Sequence, residues 1–137
     1  MRNYETFSTT ADSGIRFQGR GFGELYGNAL RGLNLLLFGR NPRRRAGCES
    51  VPFRYCGDGP ENVLVNLLAA ALALAFQEGK VVTAVDLERA EPTRLEARLL
   101  LAPSRSVPRV EVKSTTYHGL HVVEKNGNLR AAIVFDV

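Results

Sequence analysis

Apolar residues recur at helical spacing along two stretches of this chain and alternate with polar ones along several others. Leu25, Tyr26, Ala29, Leu30, Leu33, Leu36 and Leu37 form one helical stripe, with Glu24, Asn28, Arg31 and Asn34 on the opposite side. Gly21-Phe22-Gly23 opens this helix, Gly39 stops it and Pro42 marks the break. A second helix is predicted from about Pro60 to Gln77, ended by Glu78-Gly79. Asp58 is placed to cap it, Pro60 sits near its first position, and Glu61 can reach back. From 63 to 76 only Asn66 is polar, so this helix is apolar all round and should be buried on most sides. Either sheet and first helix cover it together, or one face is a homo-oligomer interface. The apolar run itself is too short to span a bilayer, so no membrane association is expected.

The remaining segments read as strands. Residues 4–9 form a short β-prone run, broken by Thr10-Ala11-Asp12-Ser13-Gly14, in which Asp, Ser and Gly read as a turn. By residue type alone, Asp12 is a turn residue bonded to its own backbone. Ile15 to Gly19 alternates as a half-buried strand. A strand over 46–55 contains Pro52, which argues for a sheet edge. Strands over 81–88 and 95–101 are joined by a turn at Pro92-Thr93. The order is about β-β-α-β-α-β-β-β-β, and strands in runs with two helices argue an α+β class with mainly antiparallel pairing in one domain, residues 1–137.

The C-terminal part carries the strongest local signal. Asn126-Gly127 predicts a tight hairpin between 110–125 and 129–137. In that register residue 125 faces 128 and Tyr117 faces Asp136. One face would hold Lys113, Thr115, Tyr117 and Asp136. The other would hold Leu120, Val122, Leu129, Ala131, Ile133 and Phe135, with His118 at its end. A bulge at Gly119 would shift this register by one. Asp136, the Val137 carbonyl and a terminal carboxylate are oxygen donors of the kind hard cations take. Two oxygens do not make a site, and a surface Asp is the simpler reading of these residues alone.

Composition adds modest constraints. The chain has 137 residues, a net charge of +4 and no Trp. Much of the positive excess sits in Arg40, Arg43, Arg44 and Arg45, a run suited either to nucleic-acid contact or to a solvated loop. Cys48 and Cys56 would be roughly 26 Å apart on one strand, too far to bridge. Free thiols and the lack of a signal-peptide pattern after Met1 suggest a cytoplasmic setting.

Recognisable catalytic chemistry is missing. The sequence holds no nucleophile elbow, P-loop, His-Glu-x-x-His or Cys-x-x-Cys motif, and Gly19-Arg-Gly-Phe-Gly is not a dinucleotide fingerprint. The only histidines, His118 and His121, point to opposite faces of a predicted strand and cannot chelate one ion there. An enzyme using His118 as base would need a partner that the sequence does not identify, so a non-enzymatic role is expected.

Thr10-Ala11-Asp12-Ser13-Gly14-Ile15, Glu111-Val112-Lys113, Thr116-Tyr117-His118-Gly119-Leu120 and Phe135-Asp136-Val137 together resemble the archease family, and the resemblance covers the whole chain. Archeases are small protein cofactors of the RtcB-type RNA ligase, which joins tRNA exon halves and repairs broken RNA. The resemblance implies promotion of ligase guanylylation and multiple turnover. It also implies a divalent cation, typically calcium, held by Asp12, Asp136 and the Val137 carbonyl. Arg105, Lys113, Tyr117 and His118 would fall in the region that engages the ligase. The chain departs from the family pattern at several positions. Thr9 stands where many members have His, Ser106 where a His falls, and Val110 where a Thr falls. Leu67-Leu68-Ala69-Ala70 replaces a Trp-Leu-Asn-Glu segment, and the chain is basic where many relatives are acidic. A diverged interaction or RNA-binding module on the same fold, contacting RNA through Arg40 to Arg45, is the alternative.

Overall fold

The computed structural model describes residues 3–8, 12–43, 49–117 and 119–137. Its order is β1 (Tyr4–Ser8), β2 (Ser13–Gly19), α1 (Phe22–Phe38), β3 (Glu49–Cys56), α2 (Pro60–Gln77), β4 (Lys80–Glu91), β5 (Arg94–Pro103), β6 (Ser114–Thr115), β7 (Val123–Lys125) and β8 (Asn128–Asp136). The strands form two antiparallel sheets, an α+β arrangement as expected. One runs β1-β2-β8-β6, with β7 also pairing with β8; the other runs β3-β5-β4. Pro52 does lie on an edge strand, the kind of strand in which proline is tolerated.

Each helix touches both sheets. Ile15, Phe17, Ile133 and Phe135 from the first sheet meet Leu25, Leu33, Leu64, Leu67 and Leu68 from the helices in one fully buried cluster. Leu95 and Leu99 close it from the second sheet. Gly39 ends α1 at φ 73, its N–H donating to the Leu35 carbonyl. A left-handed stop of this kind favours glycine, because a Cβ would meet the following carbonyl.

Three expectations need correction. The polar stripe of α1 is only partly solvated: Glu24 and Arg31 are exposed, whereas Asn28 and Asn34 are 9% and 6% exposed. Asn28 donates to the Gln18 carbonyl at 2.7 Å, and Asn34 to the Val82 carbonyl at 2.8 Å, so two amides bind α1 to both sheets. In α2 the N-cap is Gly59, with no side-chain cap from Asp58. Gly14 is a strand residue rather than a turn residue. A Cβ there would lie 2.3 Å from the Phe7 ring and 2.5 Å from the Ile133 carbonyl oxygen, so the β1–β2–β8 packing requires its absence.

The helix α2 has 18 residues and, by length and composition alone, could cross a membrane. Nine of its residues are buried in this protein's core, which accounts for its apolar character. Ala69 is exposed and Phe76 is 41% exposed, so part of its apolar surface faces outward. Cys56 is a free, exposed thiol; Cys48 lies outside the described residues.

Candidate functional site

Strand β8 is the spine of the candidate site. Its ladder with β2 ends at Ser13 opposite Phe135. One step further, the same register sets Asp12 across from Asp136. Directly opposed residues of an antiparallel pair share a face, with Cα atoms about 4.5–5.5 Å apart. Both aspartates are exposed. On the other side of β8, Ser114 pairs with Asp136, and the Lys113 amide donates to the Asp136 carbonyl at 2.7 Å. Asp136 is therefore flanked by the segment leading into β2 and by the segment leading into β6. The Val137 carbonyl follows directly.

The predicted hairpin register holds only beside its turn. Lys125 faces Asn128, and Asn126 and Gly127 have φ 53 and 80, the pair of positive values that a type I′ turn requires. Carried on, that register would set Tyr117 opposite Asp136. The structure sets Ser114 there instead, an offset of three residues. Thr115 faces Phe135 and turns towards the core, its hydroxyl 3.5 Å from the Val65 carbonyl. So none of Lys113, Thr115 and Tyr117 shares a face with Asp136 by strand pairing.

The offset arises because the intervening chain leaves the sheet and binds to α2. The Leu120 amide closes a turn onto the Tyr117 carbonyl at 3.0 Å, with Gly119 at φ 66. Thr116 anchors the departure by donating to the Val134 carbonyl at 2.9 Å. Asn62 then donates to the Tyr117 hydroxyl at 2.7 Å, while Tyr55 donates to the Asn62 side-chain oxygen at 2.9 Å. Glu61 accepts from the Val122 amide at 3.2 Å, rather than reaching back to its own helix. The Tyr117 ring remains about half exposed.

Sequence reasoning assigns Glu61 only a capping role and does not single out Asn62. Their signal is faint: two polar residues in the first turn of an otherwise apolar helix. Glu61 also acts on the core. Burial, and then the nearby Glu61 charge, push the Tyr26 phenol well above its ordinary value. The Tyr26 hydroxyl donates to the Glu91 carbonyl at 2.7 Å.

Other expected residues lie elsewhere. Arg105 is exposed on the loop after β5, whose start is fixed by the Ser104 amide on the Gly79 carbonyl. Arg40 and Arg43 are exposed beyond α1. His118, Arg44, Arg45, Thr10 and Ala11 fall outside the described residues. His121 is exposed and lies in no strand. Among the described residues, no group of three or more His, Cys, Asp or Glu could hold a metal. A cation at Asp12 and Asp136 would thus depend on two carboxylates, main-chain carbonyls and water, all oxygen donors of the class calcium accepts.

Comparison with known proteins agrees with this architecture. The Archease protein family matches residues 4–137. The solution structure of protein 1598 from Methanobacterium thermoautotrophicum superposes with a TM-score of 0.70 at 19% identity, covering 100% of both chains. The crystal structure of an archease from Thermotoga maritima, described as a possible chaperone, superposes with a TM-score of 0.66 at 21% identity. That match covers 96% of this chain and 94% of the other. A search of curated proteins gives no match.

Proposed function

The chain belongs to the archease family, and from that premise we propose that it serves as a non-enzymatic protein cofactor of an RtcB-type RNA ligase. In this reading it holds a divalent cation, calcium by donor type, at Asp12, Asp136 and the Val137 carbonyl. Bound there, the cation would supply positive charge next to the ligase's nucleotide phosphates. Lys113 and Tyr117 would belong to the face offered to the ligase, with Arg105 on a neighbouring loop; the resemblance also implicates His118, which lies outside the described residues. The observation that carries this reading is the β2–β8 register, which ends with Ser13 opposite Phe135 and, continued by one residue, would set Asp12 against Asp136. Two like charges set face to face repel, and a cation relieves that repulsion. The chain's own residues hold the arrangement: Lys113 fixes the Asp136 carbonyl, and Asn62 and Glu61 hold the segment beside it.

The first test is calorimetric titration of calcium into metal-stripped protein, wild type against Asp136→Ala. Binding in the wild type and none in the variant supports the cation site. The second is guanylylation of a purified ligase with and without this chain. A cofactor raises the rate; an unchanged rate contradicts the ligase reading.

A second reading, an interaction module without ligase activation, draws on α2. Ala69 is exposed and Ala70 half-buried, where the resemblance leads one to expect Asn and Glu. Methyl groups there offer a partner no hydrogen bonds.

A further inference from the structure

The charge of this protein is strongly polarised. From 25 to 48 the chain has five arginines and no carboxylate; from 97 to 110 it has three arginines and no carboxylate. These two segments carry +8, so the remaining residues carry −4 against a net charge of +4. No lysine contributes to either segment.

The fold brings the described parts of these segments, 25–43 and 97–110, into contact. The Arg109 amide donates to the Leu37 carbonyl at 2.6 Å, joining the loop after β5 to the end of α1. The Arg109 guanidinium lies against Gly39, where a Cβ would come within 2.4 Å of it. Arg40 follows directly in the chain. The segment beyond is held in place by Asn41, which donates to the Arg31 carbonyl at 3.1 Å and to the Tyr4 hydroxyl at 3.3 Å. Arg43 extends the same segment. Arg40, Arg43 and Arg109 are all exposed, and none forms an ion pair among the described residues.

The C-terminus of α1, beside Arg40 and Arg109, also lies towards the aspartate end of the molecule. Gly32 packs on Ile15 while Gly19 packs on Leu25, so α1 runs antiparallel to β2 and its C-terminus returns towards Asp12. Four residues separate Arg109 from Lys113, a span of at most about 14 Å.

We propose that Arg40, Arg43 and Arg109 form a docking face for the phosphate backbone of RNA. Guanidinium groups suit phosphate because their planar donors bind two oxygens at once. No exposed aromatic residue is among these three, so binding should follow the backbone rather than base identity. The choice of RNA among phosphodiesters rests on the ligase reading above; the charge argument does not.

The test uses the full chain alone, without ligase and with chelator present, so that it is independent of the cation site and of ligase activation. Fluorescence anisotropy with a labelled 20-nucleotide RNA is recorded between 50 and 200 mM salt. Three phosphate contacts give a slope of about −2 to −3 in log affinity against log salt, or roughly 20–40-fold weaker binding across that range. The triple variant Arg40→Gln, Arg43→Gln, Arg109→Gln should lose that slope. The double variant Arg40→Gln, Arg43→Gln, which leaves the Gly39 contact untouched, should lose about two thirds of it. Wild-type binding no tighter than that of the triple variant would overturn the proposal, as would equal binding of a polyglutamate of matching length.

Discussion

Asn62, in the first turn of α2, donates its amide to the hydroxyl of Tyr117, 55 residues further along the chain, across 2.7 Å. Tyr55 completes the chain by donating to the other end of the same amide. One short side chain thereby holds a tyrosine of the candidate site against the helix. Asn62→Ala should free Thr116, Tyr117 and residues 119–122, speeding their amide exchange by an amount equivalent to about 1 kcal/mol of local stability. Tyr117→Phe should do less, and the two changes combined should be less than additive. Hydrogen exchange read by mass spectrometry checks both; full additivity would show that the two groups act separately.

Asp12→Ala and Asp136→Ala should each abolish calcium binding, and Asp136→Ala should change stability by no more than about 0.5 kcal/mol, since its side chain is exposed. Calorimetry and urea unfolding of the metal-free proteins read these separately. Retained calcium affinity in either variant would place the cation elsewhere.

Gly14→Ala should destabilise the protein by about 1–3 kcal/mol. The added methyl group meets the Ile133 carbonyl oxygen as well as the Phe7 ring, and a backbone oxygen in a central ladder has little freedom to give way. Phe7→Leu should recover part of the loss. No recovery in urea midpoints would leave the Ile133 contact as the whole cause.

Tyr26 makes stability depend on alkaline pH. Its phenol is raised above the ordinary value of about 10 by burial first and Glu61 second. Below pH 10 both folded and unfolded states keep the proton, and its contribution is complete. Above pH 10 only the folded state keeps it, so stability falls by about 1.4 kcal/mol per pH unit until the folded phenol ionises. Tyr26→Phe should remove that portion of the slope. Urea unfolding of both proteins at pH 9, 10 and 11 gives the comparison; equal slopes would mean that the phenol ionises freely in the folded state.

The parts legible in the sequence were those set by local chemistry. Gly39 stops a helix wherever the chain places it, Pro52 excludes a central strand, and Asn126-Gly127 turns without outside help. The apolar set Ala131, Ile133 and Phe135 is buried as its alternation requires. The resemblance to archeases was legible too, from short motifs spread over the whole chain. What could not be read was local chemistry overruled at a distance. Asn28 and Asn34 look like a solvated stripe until β4 and the end of β2 offer them carbonyls. The register of Tyr117 follows the turn until Asn62 and Glu61 draw its segment off the sheet. In both cases a hydrogen bond to another element outweighs the local pattern, and the sequence does not say which element will be near.

The ladder between β2 and β8 has a consequence for the newly made chain. The residues that β2 pairs with lie 110 to 122 positions further along. While a ribosome is still producing the helices and the second sheet, β1 and β2 can already form their hairpin. One edge of β2 then stays open, with Ile15 and Phe17 on the side that will become core. Long-range pairing of this kind is slow to form, and an open apolar edge invites other strands. The aspartate pair comes into being only when β8 closes that edge, so the candidate site also reports that synthesis of this sheet is complete.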